Sequence, residues 1–234
     1  GRGMQVQVND LSFEYQEGVP VLSNLNFLVS PGEKIQVMGS HGSGKSTLIR
    51  LLSGSYQPFT GVISLDNASI NNYTLDSIRN QTGILLSNQE LFKGSLLENI
   101  TLGDTDIQFS EINRLAEIIG LKSFLDRNPA GWALAVNPTG DRLPRKIVQK
   151  LLLLRALLNQ PRLLLLEEPW LGLEYKYAEQ IKNYLLQDIP NTTCIIVSND
   201  TSFAEKANRV IVIEDGQIKA DGTWRDIQSI LKTN

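Results

Sequence analysis

The chain has one cysteine and one histidine in 234 residues. A lone cysteine excludes an internal disulfide, and Cys194 sits in an apolar run, TTCIIV, that reads as a buried strand in a reducing compartment. A basic surplus is also missing. Lys and Arg number 22 against 25 Asp and Glu, for a net charge of -3, and the pI is near 5.3. That balance argues against a surface built to neutralise nucleic-acid phosphates, so no nucleic-acid partner is expected. Long apolar runs are absent as well. A spanning helix needs about 20 consecutive apolar residues, but LLLLRALL after Lys150 is broken by Arg155 and stopped by Asn159, Gln160 and Pro161. The next run, Leu163 to Leu166, ends at two glutamates. The chain as given is therefore expected to be soluble. No signal peptide, internal repeat or low-complexity linker is legible. The opening GRGM reads as a tag remnant, residues 1–3, ahead of a natural start at Met4.

What is present is an ordinary globular composition, 41% hydrophobic and 20% charged, in a chain long enough for a substantial core. MQVQV and LSFEY alternate as strands, the turn-prone QEGVP follows, and VLSNLNFLV continues in the same manner. After a turn at Ser30 to Glu33, KIQVM reads as a short buried strand, Gly39 to Gly44 as a loop and Lys45 to Leu52 as a helix. TGVISLDNASI reads as a hairpin-like pair. From about residue 90 to 158 the pattern is helical, with apolar residues three and four apart in SEINRLAEIIGLKSFL. The last third alternates strands (RLLLLEEP, TTCIIVSN, RVIVIEDG) with a helix at AEQIKNYLL. This is an α/β pattern: a core with a mixed sheet, an antiparallel N-terminal part and a helical insertion, read as a single domain.

Residues Gly39 to Thr47 spell GSHGSGKST, an unbroken G-x-x-x-x-G-K-[ST] phosphate loop between a strand and a helix. Gly39, Ser40, His41, Gly42, Ser43 and Gly44 supply a backbone able to curl around phosphate oxygens. Lys45 brings charge to the β- and γ-phosphates, the Ser46 hydroxyl reaches Mg²⁺, and Thr47 continues into a helix whose positive end faces the anion. His41 occupies a variable position and reads as filler. LLLLEEP then provides the acidic strand. Glu167 at its end is expected to hold Mg²⁺ through water, and Glu168 to polarise the attacking water. The expected ligands are a nucleoside triphosphate and Mg²⁺.

With both motifs placed, the chain resembles the nucleotide-binding domain of ATP-binding cassette transporters, over about residues 5–231. The exporter type is the nearest likeness, carried by F-x-Y at Phe13 and Tyr15, LFKGSLLENI at Leu91 to Ile100, and Pro129-x-Gly131. The resemblance implies a head-to-tail dimer, homo- or heterodimeric, with ATP between one subunit's phosphate loop and the other's signature segment. It implies a membrane-domain partner and a place at the cytoplasmic face of the membrane. It also implies that Tyr15 stacks on adenine; the alternative is a core aromatic, since alternation with Leu11 and Phe13 would by itself produce one. Glu174 in LGLE falls where an aspartate usually communicates across the dimer.

Several family positions depart from the pattern. Leu143 to Ile147 read LPRKI where Leu-Ser-Gly-Gly-Gln belongs. Pro144 has no N–H or hydroxyl to offer a phosphate, and Arg145 and Lys146 put bulk where backbone should approach. A helix starting near Pro144 is expected. Ser87 stands at the glutamine position that links the metal to the membrane domain, with Gln89 out of register. Glu167 replaces the metal aspartate, and Asn199 replaces the switch histidine in a chain whose one histidine is elsewhere. The expected function is an exporter's ATP-binding domain with slow hydrolysis. The alternatives are a regulatory, essentially non-hydrolysing subunit of an asymmetric transporter and a soluble cassette ATPase of DNA repair or translation.

Overall fold

A computed structural model describes residues 2–137, 143–158 and 160–231. Gly1 of the N-terminal remnant, Arg142 at the head of the basic stretch and Asn159 at the end of its apolar run lie outside the described residues.

The N-terminal alternation builds β1 (Val6–Gln16) and β2 (Val19–Val29), an antiparallel pair. MQVQV and LSFEY belong to one continuous strand, not two. The break in their alternation is absorbed as a bulge, with Asp10 in the left-handed region (φ 50°) and its N–H donated to Asn26 Oδ1 at 2.8 Å. β3 (Lys34–Met38) is buried along its whole length and leads through the glycine loop into α1 (Lys45–Leu52). β4 (Thr60–Leu65) and β5 (Ala68–Ser69) form the hairpin. α2 (Leu75–Arg79) and β6 (Thr82–Leu85) follow; β6, four residues containing a glycine, is too short to declare itself by alternation.

The helical stretch opens with β7 (Gly94–Ser95) and α3 (Leu96–Thr101), where Ser95 and Glu98 satisfy each other's backbone amides in a capping box. α4 (Phe109–Ile119), α5 (Lys122–Arg127), β8 (Ala135–Val136) and α6 (Arg145–Leu157) complete it. The chain then alternates β9 (Leu163–Glu167), α7 (Tyr175–Asn183), β10 (Thr193–Val197), α8 (Thr201–Ala204), β11 (Arg209–Glu214), β12 (Gln217–Gly222) and α9 (Trp224–Leu231).

Among the described residues the strands form an antiparallel sheet in the order β2-β1-β4-β5, a larger sheet in the order β12-β11-β3-β10-β9-β6, and the small β7-β8 pair. In the larger sheet β12 runs antiparallel to β11 while the other neighbours are parallel. The α/β class with a mixed sheet and an antiparallel sheet is thus as the sequence implies. β10 lies between β3 and β9, so the segments leaving these three strands emerge side by side at one edge, where ligands of open α/β sheets bind.

The run RKIVQKLLLLRAL is α6. Leu151 to Leu154, Ala156 and Leu157 are buried against α3, α4 and β6, as befits a helix that is apolar nearly all round. Gly83 of β6 allows this approach, since a Cβ there would lie 1.9 Å from the Ala156 carbonyl oxygen. Each fully buried leucine stabilises the fold by about 1.5–3 kcal/mol. No helix among the described residues is long and apolar enough to cross a membrane.

Candidate nucleotide-binding site

The glycine loop leaves β3 with Gly39 at φ 150°. A side chain at this position would collide with the Ile213 carbonyl oxygen, 2.1 Å from an added Cβ. Leu48 is the residue of α1 whose N–H reaches back to Gly44 O, at 2.9 Å. The first-turn amides of Lys45, Ser46 and Thr47 therefore project from the helix N-terminus, as first-turn amides do. Lys45 Nζ donates to Gly39 O at 2.9 Å and Ser40 O at 2.6 Å. Burial pushes its pKa down, and the charges of Glu168 and Glu167 push it back up. His41 is exposed on the turn with Gly42.

Glu167 ends β9 inside the protein. Its Oε1 accepts a hydrogen bond from Ser46 Oγ, and its Oε2 accepts one from the Ser87 N–H at 2.8 Å. Ser46, Glu167 and Ser87 therefore converge, although Ser87 contributes its amide and not its hydroxyl to that contact. Among the described residues no group of three or more His, Cys, Asp or Glu could hold a metal. One hydroxyl beside one carboxylate suits Mg²⁺, which keeps waters and takes substrate phosphate oxygens in place of an all-protein cage.

Glu168, the next residue, is half-buried and held in the left-handed region at φ 45°, a strained conformation for a side-chain-bearing residue. Three bonds to its backbone hold it there: its N–H donates to Val197 O at 2.8 Å, and its carbonyl accepts from the Leu171 N–H at 3.1 Å and from Gln149 Nε2 of α6 at 3.2 Å. Burial raises the carboxyl's pKa, while the nearby Ser198 hydroxyl and the Lys45 charge lower it.

Asn199 is beside the loop but is engaged with it. Its Nδ2 donates to Gly39 O at 3.0 Å, and its Oδ1 accepts from the Gly39 N–H at 3.1 Å. Gln89 turns inward, accepting at Oε1 from the Leu86 N–H at 3.2 Å. Tyr15 is 52% exposed, unlike buried Leu11 and Phe13, so it is not a core aromatic. Its hydroxyl lies 3.1 Å from Thr47 Oγ1, and its ring meets Phe13 and Tyr56 edge-on at 4.9 and 5.5 Å. That places an open ring at the foot of the phosphate loop.

α6 begins at Arg145 with Pro144 as its N-cap, making no side-chain capping bond. Pro144, Arg145 and Lys146 are exposed, whereas Ile147 is buried in the core that holds the α6 leucines. Glu174 Oε1 and Oε2 pair with Lys146 Nζ at 3.5 Å and Lys150 Nζ at 2.8 Å. The Lys150 hydrogen bond holds the Glu174 carboxyl below its usual range. Lys150, itself buried, also donates to Gly120 O at 3.1 Å and lies over the Tyr177 ring. Sequence reasoning missed Gln149 and Ser198. A hydroxyl directly after the apolar run that forms β10, just before Asn199, was the available signal for the second.

The ABC transporter family profile matches residues 22–171. The chain is 31% identical over 225 residues to the alpha-hemolysin translocation ATP-binding protein HlyB of Escherichia coli O157:H7, covering 96% of this chain and 32% of that protein. It is 30% identical over 218 residues to the human mitochondrial iron-sulfur clusters transporter ABCB7, covering 93% of this chain and 29% of that protein. Its fold is similar to a bacterial Atm1-family ABC exporter with ATP bound, with a TM-score of 0.87, 25% identity, and coverage of 98% of this chain and 40% of the exporter's. The chain thus spans less than half the length of these relatives. A matching profile over most of the chain, the fold and the converging loop and acidic strand together make this chain a member of the ABC transporter family, its ATP-binding domain.

Proposed function

We propose that the chain binds Mg-ATP and hydrolyses it slowly to drive export through a membrane domain, at the cytoplasmic face of the membrane. The observation that carries this reading is the meeting of Lys45, Ser46, Glu167 and Glu168 at one sheet edge, while Pro144, Arg145 and Lys146 stand in the signature positions. Lys45 and the first-turn amides of α1 bind phosphate, and Tyr15 offers a face to the base. Ser46 and Glu167 would hold Mg²⁺, which when bound offsets phosphate charge. Glu168 orients and deprotonates the attacking water. A partner nucleotide-binding domain, identical or paralogous, faces the loop. In a homodimer that partner presents Pro144, Arg145 and Lys146 in place of serine and glycine contacts. An ATP affinity between micromolar and millimolar, about -4 to -8 kcal/mol, is expected by calorimetry.

A second reading, a regulatory subunit that binds ATP with little chemistry, is favoured by the engagement of Asn199 with Gly39. Turnover measured with the membrane domain present separates the two.

Tyr15→Ala is expected to weaken ATP and GTP binding alike, by about fivefold, the loss of ~1 kcal/mol of stacking. The melting temperature should change little because the ring is half exposed. Unaltered affinity for both nucleotides would remove Tyr15 from the site.

A further inference from the structure

Asn199 lies just past β10 and Gly39 just past β3, two neighbouring parallel strands. The Gly39 N–H donates to Asn199 Oδ1 at 3.1 Å, and Asn199 Nδ2 donates to Gly39 O at 3.0 Å. A backbone N–H only donates and a carbonyl only accepts, so Gly39 occupies both ends of the amide at once. The backbone ladder has run out at this point. The Ser198 N–H still donates to Val37 O at 3.2 Å, but Ser198 O accepts from the Gln36 side chain at 2.7 Å. The Asn199 amide stands in for the next peptide of β10 and carries the pairing one step into the phosphate loop.

We propose that Asn199 is a positioning residue for nucleotide binding: its amide fastens the first peptide of the phosphate loop and does not contact the γ-phosphate. The inference rests on Gly39 to Thr47 being the ATP site, as in the reading above.

The loop needs such a tie. Gly39, Gly42 and Gly44 sit at φ 150°, 79° and 102°, and glycine backbone loses the most freedom when it is ordered. Gly216 holds the far side, its N–H donating to Ser43 O at 3.1 Å. Ser40, His41 and Gly42 between the two ties are exposed. A loop already in shape binds its ligand without that ordering cost. Lys45 gains as well. Its Nζ donates to Gly39 O at 2.9 Å, Ser40 O at 2.6 Å and Ser43 Oγ at 3.3 Å, which uses all three of its protons. Each proton that turns to a phosphate oxygen leaves an acceptor behind. At Gly39 the Asn199 amide keeps that carbonyl paired.

Asn199 is itself held in place. Gln36, fully buried in β3, donates through Nε2 to Ser198 O and, at 3.0 Å, to Asp200 O, the carbonyls on either side of Asn199. Ser198 Oγ accepts from Trp170 Nε1 at 3.1 Å. Asp200 accepts from the Phe203 N–H at 2.9 Å and pairs with buried Lys182 at 2.9 Å. The backbone that carries the amide therefore has little freedom, and satisfied networks of this kind specify one geometry.

The test is calorimetry of Mg-ATP and of Mg-ADP on the 234-residue chain, its Asn199→Ala variant and its Asn199→His variant. Asn199→Ala should weaken both nucleotides alike, by about fivefold, the factor that one or two neutral hydrogen bonds represent. Asn199→His should also weaken both, because the two nitrogens of an imidazole point apart and cannot serve the Gly39 N–H and carbonyl together. The melting temperature should stay close to the parent's, since the Asn199 side chain is exposed. Without nucleotide, the Gly39 amide proton should exchange with solvent faster in both variants. Its resonance is singled out by labelling Met carbonyls and Gly nitrogens, since Met38-Gly39 is the one Met-Gly pair in the sequence. Weakening of ATP alone would make Asn199 a γ-phosphate contact and overturn the proposal, as would unchanged affinity for both nucleotides or an unchanged exchange rate. If the parent binds neither nucleotide, the functional reading fails, and the exchange rate then decides whether Asn199 holds the loop.

Discussion

Glu168→Gln is expected to bind ATP as the parent chain does and to lose turnover by a factor on the order of a hundred to ten thousand, the range for removing a positioned base. The substitution keeps the side chain's shape. What disappears is the charge that draws a proton from water. Glu168 is the carboxylate suited to that work because Glu167, its neighbour, is already engaged by Ser46 and Ser87. Burial pushes Glu168 toward a more basic carboxylate, with Ser198 and Lys45 restraining the rise. Phosphate release under saturating ATP measures the effect. Turnover within threefold of the parent would move the base elsewhere.

Lys45→Ala should weaken ATP binding by roughly 10- to 150-fold, the factor that a charged hydrogen bond of ~1.5–3 kcal/mol represents. The Lys45 ammonium bridges the Gly39 and Ser40 carbonyls, so its loss also loosens the loop that presents the amides. Calorimetry on the two chains reads this directly. Equal affinities would mean that the glycine loop is not the phosphate site.

The parts of this protein that the sequence displayed are those where one residue type has one physical use. Glycines at 39 and 44, a lysine after them and a buried strand ending in glutamates made the loop and the acidic strand legible in the sequence. The leucines of α6 were legible as a helix, but the reason for their number, burial against α3, α4 and β6, belongs to packing. β6 was not legible, because four residues carry too little periodicity. Asn199 shows the limit at the site. Sequence placed it at the position of a phosphate sensor, but only tertiary structure brings its amide against both polar groups of Gly39. Ser198 and Trp170 lie 28 residues apart, and nothing local joins them. Glu174 falls where an aspartate usually communicates across the dimer, and nothing local announces that Lys146 and Lys150 engage it within the chain.

The structure also decides how the signature should be restored. Pro144, Arg145 and Lys146 are exposed and replaceable, but Ile147 is 7% exposed within the core, so a glutamine there would bury an unpaired amide. Two glycines in the first turn of α6 cost about 1 kcal/mol each, and Lys146→Gly also gives up one partner of Glu174, leaving the closer Lys150 in place. Asn199→His by itself removes the clamp on Gly39, so it should help little unless the facing contacts are restored with it.

Steady-state ATP hydrolysis by the parent chain and by Pro144→Ser/Arg145→Gly/Lys146→Gly/Asn199→His, each with and without Glu168→Gln, is the direct measurement. The parent should be slow and the quadruple variant at least tenfold faster. Either part alone should do less, because contacts that act as one unit are not additive, and Glu168→Gln should silence all of them. Parent turnover equal to that of the restored chain would contradict the reading of these departures as losses of γ-phosphate contacts.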